Sequence, residues 1–380
     1  MNHTPLKFGF DAKRAFLNKT GLGNYSRATI KALAGSFPEN EYYLYTPKAG
    51  QKQQPDFLFD GSNTHIKTPA KKVLKSLWRS KGIVADLKRD GIRLYHGLSQ
   101  ELPFNIKKSS IKTVVTIHDL IYLKYPEYFS WASRKIYEWK ARTACKNADM
   151  IIAVSEQTKI DLIRHFNISP QKIKVVYQGC NPAFRVQQKD VIKEAVRAKY
   201  HLPQNFILNV GTVETRKNLL LAVKALKNIS VVFSLVIIGK QTKYAEMVKN
   251  YVVKEALQNR VLFLADVSFK DLSAIYQLAR VFVYPSRYEG FGIPIVEALC
   301  SGTPVVAATG SCLEEAGGPD SIYVDPDDAV SFADQLNLIL DNDQLQSTMK
   351  TKGLEYALQF QEKNIAQNLM NVYQQALNHA

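Results

Sequence analysis

Cysteine is scarce and scattered in these 380 residues. Cys145, Cys180, Cys300 and Cys312 stand far apart with no C-x-x-C, so neither a disulfide framework nor a zinc knuckle is expected. They read as buried thiols of a reducing cytoplasm. Long apolar runs are missing as well: the stretch from Val231 to Ile238 falls far short of the roughly 20 residues that span a bilayer. Met1-Asn-His-Thr runs straight into Leu6 to Asp11 without the basic region and apolar core of a secretory leader, so export is not expected. No low-complexity segment or short-period repeat is visible, which removes solenoids and propellers. With 46% hydrophobic and 22% charged residues, disorder is removed too, and the length suits two or three domains.

Acidic residues are short in one half only. Residues 1–200 hold 35 Lys+Arg against 16 Asp+Glu, net +19, and residues 201–380 hold 15 against 18, net −3. This asymmetry predicts an anionic partner for the first half: nucleic acid, an acidic membrane surface or a phosphorylated substrate. No RRM signature, recognition-helix pattern or zinc finger supports nucleic acid.

What is present is an alternation of short β-branched runs with amphipathic stretches. In the second half, strands are expected at Phe206–Gly211, Val231–Gly239, Val261–Leu264, Val281–Tyr284 and Pro304–Ala307, with helices at Asn218–Lys227, Tyr244–Leu257, Phe269–Ala279 and Pro294–Cys300. Buried strands alternating with helices mean a parallel, doubly wound sheet. The first half repeats the pattern, with strands at Lys7–Asp11, Tyr42–Tyr45, Leu94–His96, Thr113–Ile117, Met150–Val154 and Lys174–Tyr177. Its helices fit Tyr25–Ala34, Val73–Lys88, Ala132–Lys146 and Glu156–Phe166. Cys180 to Phe184, broken by a proline, reads as the linker. The expected architecture is α/β, with two Rossmann-like domains facing across a cleft, and chemistry at the carboxyl ends of strands.

Three such strand ends carry motifs. Thr20-Gly-Leu-Gly-Asn-Tyr25 opens a helix. Gly21 and Gly23 there let backbone N–H groups approach an anion, or serve only a tight connection. It is not G-x-G-x-x-G, so a nicotinamide cofactor is not indicated. Gly211-Thr-Val-Glu-Thr-Arg-Lys-Asn218 sets Arg216 and Lys217 against the helix dipole, a cost that a bound diphosphate would reverse. Ser286-Arg-Tyr-Glu-Gly-Phe-Gly-Ile-Pro-Ile-Val-Glu297 places Pro294 in a first helical turn, with the N–H groups of Gly292 and Ile293 directed out of the helix N-terminus. Carboxylates accept paired sugar hydroxyls. Stabilisation of the helix dipole explains Glu297 but not Glu289.

Glu289 to Glu297 resembles the E-x7-E motif of retaining GT-B glycosyltransferases. With Gly211 to Asn218, Gly21 to Gly23 and Thr116-Ile-His-Asp-Leu120, the chain resembles glycosyltransferase family 4 over nearly its whole length. The resemblance implies a domain at 1–182 completed by a helix at 364–380 crossing back, and a nucleotide-sugar domain at 183–363. It implies that Arg216 and Lys217 clasp the donor diphosphate, that Glu297 binds ribose, and that Glu289, Gly290, Phe291, Gly292 and Ile293 hold sugar and phosphates. Gly21 and Gly23 would close on the diphosphate, His118 would lie beside the transferred sugar, and Gly211 and Glu214 belong to the same donor loop. The implied reaction is retaining hexosyl transfer from a nucleotide sugar, GDP-mannose first and a UDP- or dTDP-hexose second, to a lipid-linked or polysaccharide acceptor in surface-glycan assembly. No cofactor is implied. A nucleotide-sugar epimerase, a phosphorylase or a non-catalytic membrane-bound relative of the same fold are the other readings.

Asp325-Pro-Asp-Asp328 resembles a metal-binding D-x-D, but its place before a helical stretch makes it a cap, and no metal is expected. Lys71, Lys72, Lys75, Trp78, Arg79 and Lys81 form a basic stretch whose apolar residues recur near helical period. This reads as a helix lying on the anionic inner face of the membrane, or as a packed helix with a solvated lysine face.

Overall fold

The computed structural model describes residues 5–18, 20–48, 63–69 and 75–378. The chain divides into two compact units, Met1–Gly179 with Glu362–Ala380, and Cys180–Gln361.

Among the described residues the first unit holds a seven-stranded parallel sheet: β1 (Lys7–Asp11), β2 (Glu41–Tyr45), β3 (Thr64–Lys67), β4 (Leu94–Gly97), β5 (Lys112–Ile117), β6 (Met150–Ala153) and β7 (Ile173–Val175), in the order β3-β2-β1-β4-β5-β6-β7. Phe8 is paired with Tyr42 on one side and Leu94 on the other. Alternate residues go to opposite faces. Tyr43, Tyr45, Tyr95, Val115, Ile117 and Ile151 enter one core, and Phe8, Phe10, Leu44, Leu94, Val114 and Ile152 enter the other. Burial on both faces is why these strands read as unbroken apolar runs. The second core is closed by the helix Glu362–Asn378, which contributes Ile365, Leu369, Met370, Val372, Tyr373 and Ala376.

The second unit repeats the plan with β8 (Phe206–Val210), β9 (Ser234–Ile238), β10 (Val261–Leu264), β11 (Val281–Tyr284), β12 (Val305–Ala308) and β13 (Ile322–Val324), ordered β10-β9-β8-β11-β12-β13. In each sheet the order reverses once, at β1/β4 and at β8/β11. Ligands of doubly wound sheets bind outside the carboxyl ends of strands at such a switch point.

Several expectations need correction. The second unit begins at Cys180, not residue 183: the Cys180 N–H donates to Phe360 O at 3.0 Å, and Phe184 is buried against Phe269 and Tyr276. The strand expected from Val231 starts at Ser234, because a turn closed by Phe233 N–H to Ser230 O leaves Val231 and Val232 exposed. The helix Asp343–Tyr356 and the edge strand β3 carry few buried residues and gave little periodic signal, and the helix Asp190–Tyr200, though amphipathic, has only Val196 buried and was not expected.

The basic stretch is also revised. Lys71 and Lys72 lie outside the described residues, and Lys75 begins a short helical segment, Lys75–Leu77. Trp78 does not edge a membrane-facing helix. It starts a π-turn, Trp78–Gly82, its ring is buried in the core, and its indole N–H donates to Asp86 Oδ2 at 2.7 Å. Arg79 turns inward to Asp11, at 3.3 Å, and to Glu101, and Lys81 is exposed. An indole that finds both apolar walls and an acceptor gains more by burial than at a wet interface.

Candidate active site

In the second unit the loops after β8 and β11 meet at the switch point. Gly211 has φ +146°, and a Cβ there would stand 2.9 Å from Lys217 Nζ, so glycine gives Lys217 its path. Arg216 and Lys217 lie in a 3-10 turn, Thr215–Lys217, just before the helix Leu219–Ala225, and Asn218 takes the left-handed conformation between them. That residue is tied by its Nδ2 to Pro326 O at 2.7 Å, and Arg287 N–H donates to Arg216 O at 3.0 Å.

Glu289 sits at the centre. Its Oε2 is 2.7 Å from Arg216 Nη1, and its Oε1 is 3.4 Å from Lys217 Nζ. Oε1 also accepts from Ser286 Oγ at 2.8 Å and Tyr284 OH at 3.0 Å. Lys217 Nζ donates to Tyr284 OH at 2.6 Å, and Arg216 reaches Glu214 at 2.6 Å and the Tyr288 carbonyl. Burial opposes the Glu289 charge, but Lys217 and Arg216 together hold its pKa at about 2. Burial likewise opposes the Arg216 charge, and Glu289 and Glu214 more than offset it, raising its pKa. The carboxylate is therefore ionised and the guanidinium locked on, a cluster whose charges cancel before any ligand arrives.

Gly292, with φ +123°, caps the helix Ile293–Cys300, and Pro294 occupies its first turn. Gly290 and Phe291 bridge Glu289 to that cap. The Phe291 ring is buried against Phe360, and its carbonyl accepts from Cys312 Sγ at 3.0 Å. Glu297, one turn in, accepts from Tyr276 OH at 3.1 Å. Burial raises its pKa to about 7, against the pull of Tyr276 and Lys217. The two glutamates of one motif are thus shifted in opposite directions.

In the first unit the corresponding loops follow β1, β4 and β5. The helix Gly21–Ser36 opens on the glycine turn. A Cβ on Gly23 would fall 1.9 Å from Asn18 O, whereas Gly21 faces open space. Gly23 is demanded by the fold and Gly21 is not. His118 follows β5. Its Nε2 lies 2.9 Å from Leu98 O, and a carbonyl only accepts, so Nε2 carries the proton and Nδ1 is the acceptor. Burial lowers its pKa to about 4, further lowered by Arg14. Tyr25 packs edge-on to the ring at 4.6 Å. Beneath it run buried hydrogen bonds from Tyr25 OH to Thr116 Oγ1 (2.9 Å), Thr116 Oγ1 to His96 Nε2 (2.8 Å), and His96 Nδ1 to Tyr373 OH (2.6 Å).

The contacts of Tyr276, Tyr284, Ser286 and Cys312 with the motif escaped sequence reading, although Ser286 opens the motif, Tyr284 ends the strand before it and Cys312 reads as a buried thiol. Asp328 caps the helix Ala329–Leu340 through Val330 and Ser331 N–H groups, and Asp327 pairs with Arg287. Among the described residues no three His, Cys, Asp or Glu side chains are grouped to hold a metal ion, and no helix is long and apolar enough to cross a membrane.

Residues 20–184 match the family model described as Glycosyltransferase Family 4, and residues 192–356 match Glycosyl transferases group 1. The chain is 28% identical over 285 residues to O-antigen chain mannosyltransferase B of Escherichia coli, covering 74% of each protein. It is 31% identical over 218 residues to O-antigen chain mannosyltransferase RfbU of Salmonella typhimurium, covering 57% of this chain and 58% of that one. Its structure resembles that of Anabaena Alr3699/HepE in complex with UDP at TM-score 0.76 and 19% identity, covering 98% and 100% of the two chains. With both sheets wound in the order of the GT-B fold and the two family models matching in sequence along its length, the chain belongs to the mannosyltransferase-like glycosyltransferases of family 4 and is a hexosyltransferase.

Proposed function

We propose that this enzyme transfers mannose from GDP-mannose, with retention and without a metal ion, to a lipid-linked or polysaccharide acceptor in O-antigen assembly. The observation that carries the reading is the Arg216–Lys217–Glu289 cluster at the β8/β11 switch point, in a chain similar to O-antigen mannosyltransferases. A donor diphosphate takes the place of the Glu289 carboxylate on Arg216 and Lys217. The two cations then stabilise the charge that grows on the leaving nucleoside diphosphate, a contribution of about 3 to 4 kcal/mol per well-placed donor. Released from Arg216, Glu289 accepts sugar hydroxyls, and Glu297 accepts those of ribose. His118, neutral and with Nδ1 as acceptor, receives a hydroxyl of the transferred sugar. No side chain here is a base strong enough to make an alkoxide of the acceptor, so the leaving group departs ahead of attack.

The deciding experiment is thermal stability against GDP, UDP, dTDP, ADP and their sugars without added metal. A ligand at about 100 times its Kd stabilises by about 2.7 kcal/mol. Stabilisation by GDP and GDP-mannose alone is expected. A shift with UDP or dTDP instead replaces the donor, and no shift with any nucleotide overturns the assignment. An inverted linkage in the product by NMR removes retention, and reversible loss of activity on chelation removes metal independence.

An anionic membrane surface is the second partner proposed, met by another helix than the basic stretch. The helix Trp131–Asn147 has no buried residue in its first ten positions and exposes Trp131, Ile136 and Tyr137 among Arg134, Lys135 and Arg142. Aromatic and basic residues so mixed suit the headgroup layer. Co-sedimentation with phosphatidylglycerol vesicles, lost in Trp131→Ala/Ile136→Ala, is the expected result. Equal binding by that variant rejects this surface.

A further inference from the structure

Tyr284 is the last residue of β11 and pairs with Ala307 of β12. Val281 and Val283 enter the core of the second unit, so Phe282 and Tyr284 take the opposite face, where their rings stack with centroids 5.8 Å apart. The Tyr284 phenol is therefore carried by the sheet and not by a loop, and only 2% of the residue is exposed. Ser286, two residues on, is fully buried.

Both hydroxyls meet the same oxygen of Glu289. Oε1 lies 3.0 Å from Tyr284 OH and 2.8 Å from Ser286 Oγ, whereas Oε2 is paired with Arg216 at 2.7 Å. Lys217 Nζ is 2.6 Å from the Tyr284 oxygen and 3.4 Å from Oε1. An ammonium cannot accept and an ionised carboxylate cannot donate, so the order of donation is fixed: Lys217 donates to the phenol oxygen, and the phenol donates its one proton to Glu289. The two oxygens of Glu289 are thus held by different means, Oε1 mainly by neutral hydroxyls and Oε2 by a cation. A diphosphate competes for cations far more than for neutral hydroxyls. Once it draws Arg216 and Lys217 away, the buried carboxylate loses the charges that keep it ionised. The two hydroxyl donors remain, and donation to a carboxylate favours its charged form. They also keep it from turning.

We propose that Tyr284 and Ser286 are positioning residues for the transfer: they grip Glu289 by Oε1 while Oε2 passes from Arg216 to a hydroxyl of the transferred sugar. Before the donor arrives Tyr284 has a second task, since it shares Lys217 with Glu289 and leaves that cation on a neutral oxygen, ready to be given up. The positioning role rests on reading the cluster as a donor site, but the grip itself does not.

The test is a double-mutant cycle on the full chain, Tyr284→Phe with Glu289→Gln. It is read by titration calorimetry with GDP and GDP-mannose, or with UDP and UDP-glucose if uridine nucleotides are the ones that stabilise the protein. Phe keeps the ring that Lys217 overlies, 4.9 Å from its centroid, and removes only the hydroxyl. In the parent background Tyr284→Phe is expected to weaken the nucleotide sugar at least about tenfold and the bare nucleoside diphosphate less than about threefold, since only the sugar meets Glu289. In the Glu289→Gln background the same change is expected to weaken the nucleotide sugar less than about threefold, because the charged acceptor it acts through is gone. Ser286→Ala, which deletes the other donor to Oε1, is expected to repeat the pattern, so that a Tyr284→Phe chain that fails to fold leaves this second cycle to decide. Equal losses for nucleotide and nucleotide sugar, or a loss undiminished in Glu289→Gln, would mean that the hydroxyls serve only the packing of the site. Either result overturns the proposal, as does unchanged affinity for the nucleotide sugar in both variants. If no nucleotide binds the parent, the donor reading fails on its own, and the grip is read from melting temperatures of the same proteins without ligand. A Tyr284→Phe loss at least halved by Glu289→Gln then supports it, and strictly additive losses overturn it.

Discussion

The two sheets are wound alike, yet their strand ends handle charge in opposite ways. In the second unit Arg216 and Lys217 are matched by Glu289 and Glu214, so a ligand must exchange partners with groups already satisfied. In the first unit His118 is held neutral over a buried chain of hydrogen bonds through Thr116, His96 and Tyr373, with no charged partner in that chain. A cluster of matched charges must exchange partners with an incoming ligand, whereas an uncharged network meets a ligand through hydrogen bonds alone. A repeated fold therefore does not repeat an electrostatic strategy.

The sharpest way to break this contrast is Arg216→Ala. Removal of the cation is expected to lower kcat at least about a hundredfold and to leave Glu289 buried without its closest partner. Initial rates check it, and a rate within threefold of the parent would mean that departure of the diphosphate is helped elsewhere. His118→Ala comes next, with a loss of about tenfold to a hundredfold in kcat and unchanged nucleotide binding. Because the His118 pKa is about 4, the parent rate should show no limb from this group between pH 5 and 8, a point that a pH–rate profile settles.

Glu297→Gln probes the buried motif carboxyl whose pKa is raised. Its pKa near 7 in the folded protein lies above the ordinary value of about 4.3. Ionisation therefore opposes folding, by an amount fully present above pH 7 and absent below the unfolded value. The Gln variant should melt higher than the parent at pH 8 and equal to it near pH 4. Nucleotide affinity of the parent, which needs the carboxylate for ribose, should drop by about tenfold from pH 8 to pH 6, and the variant should bind weakly at both. The smallest effect is expected from Tyr373→Phe, which removes one hydrogen bond to His96, about 1 kcal/mol and a melting shift of about 2 to 4 °C. A tenfold fall in kcat instead would mean that the buried hydroxyl chain positions His118.

The parallel sheets were legible because strands covered on both faces must be apolar throughout, as in Val281 to Tyr284. Edge strand β3, covered by little, leaves no such mark. The motifs placed Arg216, Lys217, Glu289 and Glu297 at strand ends, but not their partners. That Lys217 meets Tyr284, and Arg216 meets Glu289, depends on β8 lying beside β11, a pairing of segments some 70 residues apart that no local pattern encodes. Nor could periodicity tell which face of the segment around Trp78 is inward. Asp86, eight residues on, decides that by accepting its indole proton. Gly21 and Gly23 look equivalent in sequence, and only the carbonyl of Asn18 separates them.

The helix Glu362–Asn378 has a consequence for how the chain is made. It closes one core of the first unit, and Tyr373 reaches His96 across more than 270 residues of sequence. As the polypeptide leaves the ribosome, the first sheet must wait, one apolar face covered only in part by the helix Gly21–Ser36, while everything from Cys180 to Gln361 is translated. At about 5 to 20 residues per second that delay is roughly ten to forty seconds. The second unit, continuous in sequence, is free to fold first, so the half that begins the chain is the last to be finished.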